Sequence, residues 1–274
     1  MVVNKWIKAA TNQLKAAGVG SARLDALILL EDELGKDRAW LLAHPESPLT
    51  GTTLKKLGRQ VERRAKHEPL AYIRGFSEFY GRKFRVNKRV LEPRPESETM
   101  IDLLKEVVES GKWKAESKGR IADVGTGSGA LGITAALELH NPQVDLFDID
   151  AGALGVAKHN CELHELRLKV AKRDLLHSCH THYDVILANL PYVPTHFKIN
   201  EAAAREPRIA IFGGADGLDV YRRLFEQLNG FFWRPGYIFT EALPPQHPKL
   251  TQIAKDSGFK LKTSQDFIQV FEPA

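Results

Sequence analysis

The chain is poor in cysteine and has no long apolar run. Its 274 residues include only two cysteines, Cys161 and Cys179. Two are too few for a disulfide framework and neither sits in a nucleophile motif, so both read as free thiols in a reducing compartment. No stretch approaches the ~18 apolar residues of a membrane span. The first residues, Met1-Val-Val-Asn-Lys-Trp-Ile-Lys8, lack the apolar core of a signal peptide. These absences set aside membrane-spanning and secreted classes and make the cytoplasm the expected compartment. Internal repeats and low-complexity tracts are also missing. What is present suffices for one large domain plus a small one, with 43% hydrophobic residues to fill the cores.

Charge is unevenly spread over the net +5. Residues 1–92 hold 18 Lys and Arg against 10 Asp and Glu, and the remainder 21 against 24. Most of the basic excess lies between Lys55 and Arg89. Such a face can steer an acidic macromolecule or RNA towards a site; a solvated helix face would look the same.

Periodicity divides the chain. Trp6, Ile7, Ala10 and Leu14 recur at helical spacing before Gly18. Ser21 is positioned to cap a second run through Leu24, Leu27, Leu30 and Leu34 that stops at Gly35. Arg38 to Ala43 and Leu54 to Lys66 predict two further helices. The expected domains are thus a helical one over 1–75, a hairpin linker over 76–92 turning at Gly81, and an α/β domain over 93–274. In the last, helical and apolar segments alternate in the pattern of a parallel sheet covered on both faces. Strands are expected at 121–124, 144–148, 169–171, 185–188, 237–241, 260–263 and 268–271.

Chemistry concentrates at the ends of these strands. Arg120-Ile-Ala-Asp123-Val124 runs into Gly125-Thr126-Gly127-Ser128-Gly129 and then an apolar helix from Ala130 to Leu139. Glycines there let a ligand approach the backbone, and the helix start offers free N–H groups. Gly127-x-Gly129-x-x-Gly132 also satisfies the dinucleotide fingerprint, and Asp148 can hold a ribose in either case. Asp123, ahead of the glycines, favours the cationic sulfonium and ammonium of S-adenosylmethionine over a pyrophosphate. Asp174 is placed to accept from the adenine amine, with Leu175 packing on the base.

A second motif, Asp184-Val-Ile-Leu-Ala-Asn189-Leu190-Pro191-Tyr192, runs an apolar strand into a turn. An amide or exocyclic amine delocalises its lone pair, so an enzyme that methylates it must hold both N–H bonds and aim the nitrogen. The Asn189 side-chain oxygen and the Leu190 carbonyl can supply the two acceptors. Pro191 biases Leu190 towards extended backbone, and Tyr192 offers a flat wall. A simple Pro-containing turn reads the same way in isolation. His177-x-Cys179-His180-x-His182 matches no structural zinc spacing, and no metal site is expected.

The chain resembles the glutamine methyltransferases that modify peptide chain release factors, the PrmC/HemK family, over nearly its whole length. The resemblance rests on Glu68-Pro-Leu-Ala-Tyr-Ile-Arg-Gly75, Leu91-Glu-Pro-Arg-Pro-Glu-Ser-Glu98, the Asp123–Gly129 loop, Asn189–Tyr192, Glu206-Pro207 and Phe212-Gly-Gly-Ala-Asp-Gly-Leu-Asp-Val-Tyr221. It implies a helical domain that docks the release factor and a Rossmann-like S-adenosylmethionine domain that methylates the glutamine of a Gly-Gly-Gln loop. By position it implies that Gly125–Gly129, Asp148, Leu175 and Asn189 bind cofactor, that Asn189 to Tyr192 grip the glutamine amide, and that Arg94 and Glu98 shape the pocket rim. A monomer with transient RNA or ribosome proximity is expected.

Two departures stand out. Leu190 replaces the family's usual second proline, and the tail Gln265-Asp-Phe-Ile-Gln-Val-Phe-Glu272 lacks the usual basic ending, with Glu241-Ala-Leu-Pro-Pro-Gln246 altered after its strand. Asn-Leu-Pro-Tyr is also similar to ribosomal RNA adenine dimethyltransferases, which makes adenine methylation the alternative, although their helical C-terminal extension is absent. A non-catalytic binding protein with the same fold is the remaining alternative.

Overall fold

The computed structural model describes residues 1–109 and 119–274. The chain forms two compact units, one of Met1–Gly75 with Ile199–Arg205, the other of Phe76–Lys198 with Glu206–Ala274.

The first unit contains helices α1 (Val3–Ala16), α2 (Ala22–Leu34), α3 (Arg38–Ala43), α4 (Gly51–Ala65) and α5 (Leu70–Arg74). Val3, Trp6, Ile7, Ala10 and Leu14 form the buried stripe of α1, and they pack with Ala26, Leu29 and Leu30 of α2 and Leu57 and Val61 of α4. The boundaries have local causes. Asp37 caps α3 by accepting from Trp40 N (2.8 Å), Thr50 caps α4 by accepting from Thr53 N (3.2 Å), and Gly35 ends α2 in the left-handed region. Ser21 stands at the α2 N-cap without a side-chain capping bond, so helix entry there is set by packing. The short α5 escaped the periodicity because five residues do not define a period.

The second unit opens with a hairpin, β1 (Phe76–Phe79) and β2 (Arg82–Arg85), paired antiparallel from Phe76↔Arg85 to Phe79↔Arg82. Tyr80 and Gly81 both take positive φ, as a two-residue turn matching strand twist requires. Its Phe79 and Phe84 are buried in the core of this unit, so the hairpin is anchored in that core. The remaining elements are α6 (Glu98–Val107), β3 (Arg120–Val124), α7 (Ala130–Glu138), β4 (Gln143–Asp148), α8 (Ala151–Leu163), β5 (Lys169–Lys172), β6 (Val185–Ala188), α9 (Asp219–Asn229), β7 (Tyr237–Glu241), α10 (His247–Asp256), β8 (Phe259–Gln265) and β9 (Ile268–Pro273).

The seven strands form one sheet in the order β5-β4-β3-β6-β7-β9-β8. The first five are parallel. One strand departs from the expected parallel pattern, since β9 is antiparallel to both β7 and β8. Only Asp266 and Phe267 separate β8 from β9, and a two-residue connection cannot make a parallel crossover. Side chains alternate across the sheet. Ile121, Val185, Leu187 and Phe239 face α6, α7 and α8; Ala122, Val124, Ile186 and Ile238 face α9 and α10. The result is a three-layer, Rossmann-like α/β unit. Chain order reverses between β3 and β6, and ligands of such sheets bind at the carboxyl ends of strands flanking that reversal.

Candidate functional site

A cleft of about 1170 Å³, including its open mouth, lies at this edge of the sheet, and its lining includes Asp123, the 125–128 loop, Asp148, Leu175 and Asn189. Most residues singled out from the sequence therefore converge. Gly125, Gly127 and Gly129 have φ of 75°, 54° and 84°, a region that L side chains rarely adopt. Gly125 N and Thr126 N both donate to Phe147 O at 2.8 Å, which fastens the loop to β4.

Asp148 ends β4 with its two carboxylate oxygens held apart: Oδ2 accepts from Gly127 N and Oδ1 from Asp150 N, each at 2.9 Å. Each oxygen keeps a lone pair for a ligand hydroxyl. Burial raises its pKa. Asp123 is almost fully buried. Its Oδ2 accepts from Thr126 Oγ1 (2.5 Å) and Gly132 N (2.9 Å), and burial pushes its pKa to about 6. It retains substantial negative charge at neutral pH.

Leu175 is buried and takes a positive φ of 56°, a strained backbone for a branched residue that tends to occur at binding sites. Asp174 beside it pairs with Arg223. Arg94 lines the cleft and its guanidinium pairs at 2.5 Å with Glu206, whose pKa burial drives to about 7. Glu98 is elsewhere. Its carboxylate accepts from Tyr80 N at 2.7 Å, tying the hairpin turn to the first turn of α6, and it does not line the cleft. Tyr192 also differs from the expected flat wall: it lies outside the lining, and its hydroxyl donates to Glu241 Oε1 at 3.0 Å.

That bond belongs to a network that the sequence reading missed. Asn189 Nδ2 donates to Ser97 Oγ and to Glu241 Oε2, both at 2.9 Å. Ser97 Oγ donates to the same carboxylate oxygen at 2.5 Å. Glu241 is buried, and burial raises its pKa. Tyr221 adds a hub: its hydroxyl receives Leu190 N (3.3 Å) and Glu241 N (3.1 Å) and lies 2.9 Å from Ala188 O and 2.6 Å from Glu241 O. A signal for Glu241 was available, since it ends an apolar strand at the same edge as Asp123 and Asp148. Ser97 and Tyr221 had none beyond membership of longer sequence blocks.

The glycine-rich block 213–217 supports this loop from behind. A Cβ on Gly213 would lie 2.2 Å from Pro191 O, and one on Gly217 would lie 2.0 Å from Tyr192 O. Only glycine lets the two backbone segments come this close. Gln246 Nε2 then donates to Tyr192 O at 2.7 Å, a use of the altered region after β7. Among the described residues, no cluster of three or more His, Cys, Asp or Glu side chains is arranged to hold a metal, and no helix is long and apolar enough to cross a membrane.

Known proteins are similar to this chain in sequence and in fold. The PrmC N-terminal domain model matches residues 5–75, and the methyltransferase small domain model matches residues 100–206. A bifunctional methyltransferase of Rickettsia bellii is 31% identical over 97% of this chain, but the chain spans only about half of it, 53%. A release factor glutamine methyltransferase of Coxiella burnetii is 33% identical, covering 87% of this chain and 85% of the relative. Its counterpart from Koribacter versatilis is 35% identical, with 83% and 81% covered. Among solved structures, the hMettl16 catalytic domain in complex with a MAT2A 3'UTR hairpin superposes with a TM-score of 0.56 at 14% identity, covering 90% of this chain and 89% of that one. The RsmC methyltransferase of T. thermophilus superposes at 0.51 and 16% identity, with 72% and 49% covered. At those identities the structures share the fold alone. With two relatives above 30% identity matched over most of their length, the chain belongs to the release factor glutamine methyltransferase family.

Proposed function

We propose that this protein transfers a methyl group from S-adenosylmethionine to the side-chain amide nitrogen of the glutamine in a release factor's Gly-Gly-Gln loop. The observation that carries the reading is the orientation of Asn189. With Nδ2 committed to Ser97 and Glu241, the side-chain oxygen is left for the cleft that Asn189 lines, as an acceptor for an N–H bond of the substrate. Leu190 O has no hydrogen-bond partner among the described residues and is the second acceptor. Two acceptors fit an NH2 group and repel a carboxylate.

The cleft fits the cofactor. Asp148 keeps acceptor capacity for ribose hydroxyls, the glycine loop would admit the ligand to the backbone, Leu175 and Asp174 would hold the base, and Asp123 would favour the cationic end. The cofactor supplies an electrophilic methyl on a sulfonium. The chain's own contribution is to hold the amide nitrogen and exclude other orientations, so proximity and alignment carry the rate. No general base is assigned; the amide proton turns acidic as the methyl arrives and leaves to water. Arg94, paired with Glu206, shapes the substrate rim. The helical unit docks the release factor, and the protein acts in the cytoplasm as a monomer, close to ribosomes.

Labelled methyl from S-adenosylmethionine, offered with an intact release factor, the same factor with its glutamine replaced, and ribosomal RNA, should appear in the first alone. Label on RNA would move the reading to adenine methylation. Asn189→Ala should abolish most transfer while cofactor affinity stays within about threefold, and Asp148→Ala should weaken cofactor binding by roughly tenfold or more, as expected when a charged hydrogen-bond partner is lost. Equal losses of both properties in the two variants would contradict the assigned roles.

A further inference from the structure

We infer that Glu241, with Ser97, is a positioning device that fixes which end of the Asn189 amide faces the substrate, and so makes the site select a neutral glutamine amide over an isosteric carboxylate. The inference rests on the reading of the cleft as a glutamine methyltransferase site.

An asparagine amide is nearly symmetric in shape, and nothing steric prevents a 180° flip that would present NH2 instead of oxygen to the cleft. Such a flip would reverse the chemistry of the clamp, since NH2 attracts a carboxylate and oxygen attracts an amide N–H. The structure blocks it electrostatically. Three donors converge on the single buried Glu241 carboxylate: Ser97 Oγ at 2.5 Å, Asn189 Nδ2 at 2.9 Å and Tyr192 OH at 3.0 Å. With Ser97, Asn189 and Tyr192 all donating to it, both oxygens of Glu241 are committed as acceptors, so the Asn189 oxygen in place of its nitrogen would set two acceptors against each other. Ser97 reinforces the choice, because its proton is already given to Glu241 and its oxygen is left to accept from Asn189 Nδ2 at 2.9 Å. The carboxylate is in turn fixed by its backbone, as Glu241 N and O both bond Tyr221 OH, at 3.1 and 2.6 Å. Neither Glu241 nor Tyr192 lines the cleft, whereas Asn189 and Ser97 do, so Glu241 acts through Asn189.

Glu241→Gln removes the constraint with little change of shape, because a glutamine can donate to the Asn189 oxygen as readily as accept from its nitrogen. The test measures methylation of a release factor by the full chain, with the same factor carrying Gln→Glu as a competitive inhibitor. The native chain should prefer the glutamine factor by about tenfold or more, since a site built of acceptors rejects a ligand that lacks the donors. In Glu241→Gln that preference should narrow to within about threefold, with kcat reduced and cofactor affinity within about twofold. A purely structural role for Glu241 would lower the amount of folded protein or the melting temperature and leave the preference untouched. Ser97→Ala is the second variant, for use where Glu241→Gln does not fold; it should narrow the same ratio. An unchanged ratio in a folded variant of either kind overturns the inference. Failure of the native chain to methylate the glutamine factor at all would instead overturn the substrate reading, and this inference with it.

Discussion

Single residues of this chain carry several kinds of strain and charge, and the carboxylates beside the cleft show how burial converts to pH dependence. Asp123 titrates near pH 6 in the folded protein because burial disfavours its charge. A pKa raised by folding means that the folded state binds the extra proton, so the stabilising contribution is present at low pH and lost as pH rises through 6. Between pH 5 and pH 8 that loss amounts to roughly 1 kcal/mol for this group. Glu206, driven to about 7 for the same reason, adds to it. Thermal melts of Asp123→Asn and of the native chain at the two pH values should therefore differ: the variant should lose less stability on going from pH 5 to pH 8. An equal loss in both would mean that Asp123 is ionised throughout. Asp123 and Asp148 could be named from the sequence because each ends an apolar strand beside glycine or a helix start. Glu98 was named by resemblance alone, and its carboxylate caps a backbone amide of the hairpin turn instead.

At the scale of elements, the site is an assembly of strand ends, and Tyr221 in the first turn of α9 pins two of them. Its fully buried hydroxyl serves Leu190 N after β6 and Glu241 N at the end of β7. Leu190 supplies an N–H at a position where a proline would have none. The bond to Tyr221 tethers the backbone at the entry to Pro191. Tyr221→Phe leaves two buried N–H groups without that partner and should cost about 1–3 kcal/mol each at most. Chemical denaturation should show the loss, and kcat should fall more than cofactor affinity, since the hydrogen bonds of the hub go to Leu190, Ala188 and Glu241 beside the amide clamp. Retained kcat in a folded Tyr221→Phe would show that the clamp does not need it. Strand positions were legible because short apolar runs flanked by breakers recur. The antiparallel ending was not, since a hydrophobic run carries no direction and only the two-residue β8–β9 connection decides it.

Across the whole molecule, the basic excess of the first third looks less free once the ion pairs are placed. Arg64 reaches the buried Asp25 at 2.6 Å, Arg63 pairs with Glu68, Arg74 with Asp32 and Lys56 with Glu33. Arg64 is a structural cation of the helical unit. Arg64→Glu would set a second negative charge against Asp25 and should cost about 3–5 kcal/mol, visible as a lost or lowered melting transition. Lys55 and Arg59 are exposed and have no ion-pair partner among the described residues, so they are the sound probes of docking. Reversing both should lower kcat/KM on an intact release factor, more at low salt than at high salt, with unchanged melting. Unchanged kcat/KM at low salt would remove electrostatic docking from the reading of this face.

The sequence by itself determined the class of fold and most of the residues that line the cleft at the strand ends, because each depends on a local pattern: a hydrophobic period, a glycine run, a polar residue ending an apolar strand. The tertiary structure alone decided the orientation of the Asn189 amide. Ser97 and Glu241 lie 92 and 52 residues from Asn189 and 144 from each other. No spacing in the chain announces such a meeting; it exists because α6, β6 and β7 bring their ends together, and because a buried carboxylate must find donors wherever the fold places them.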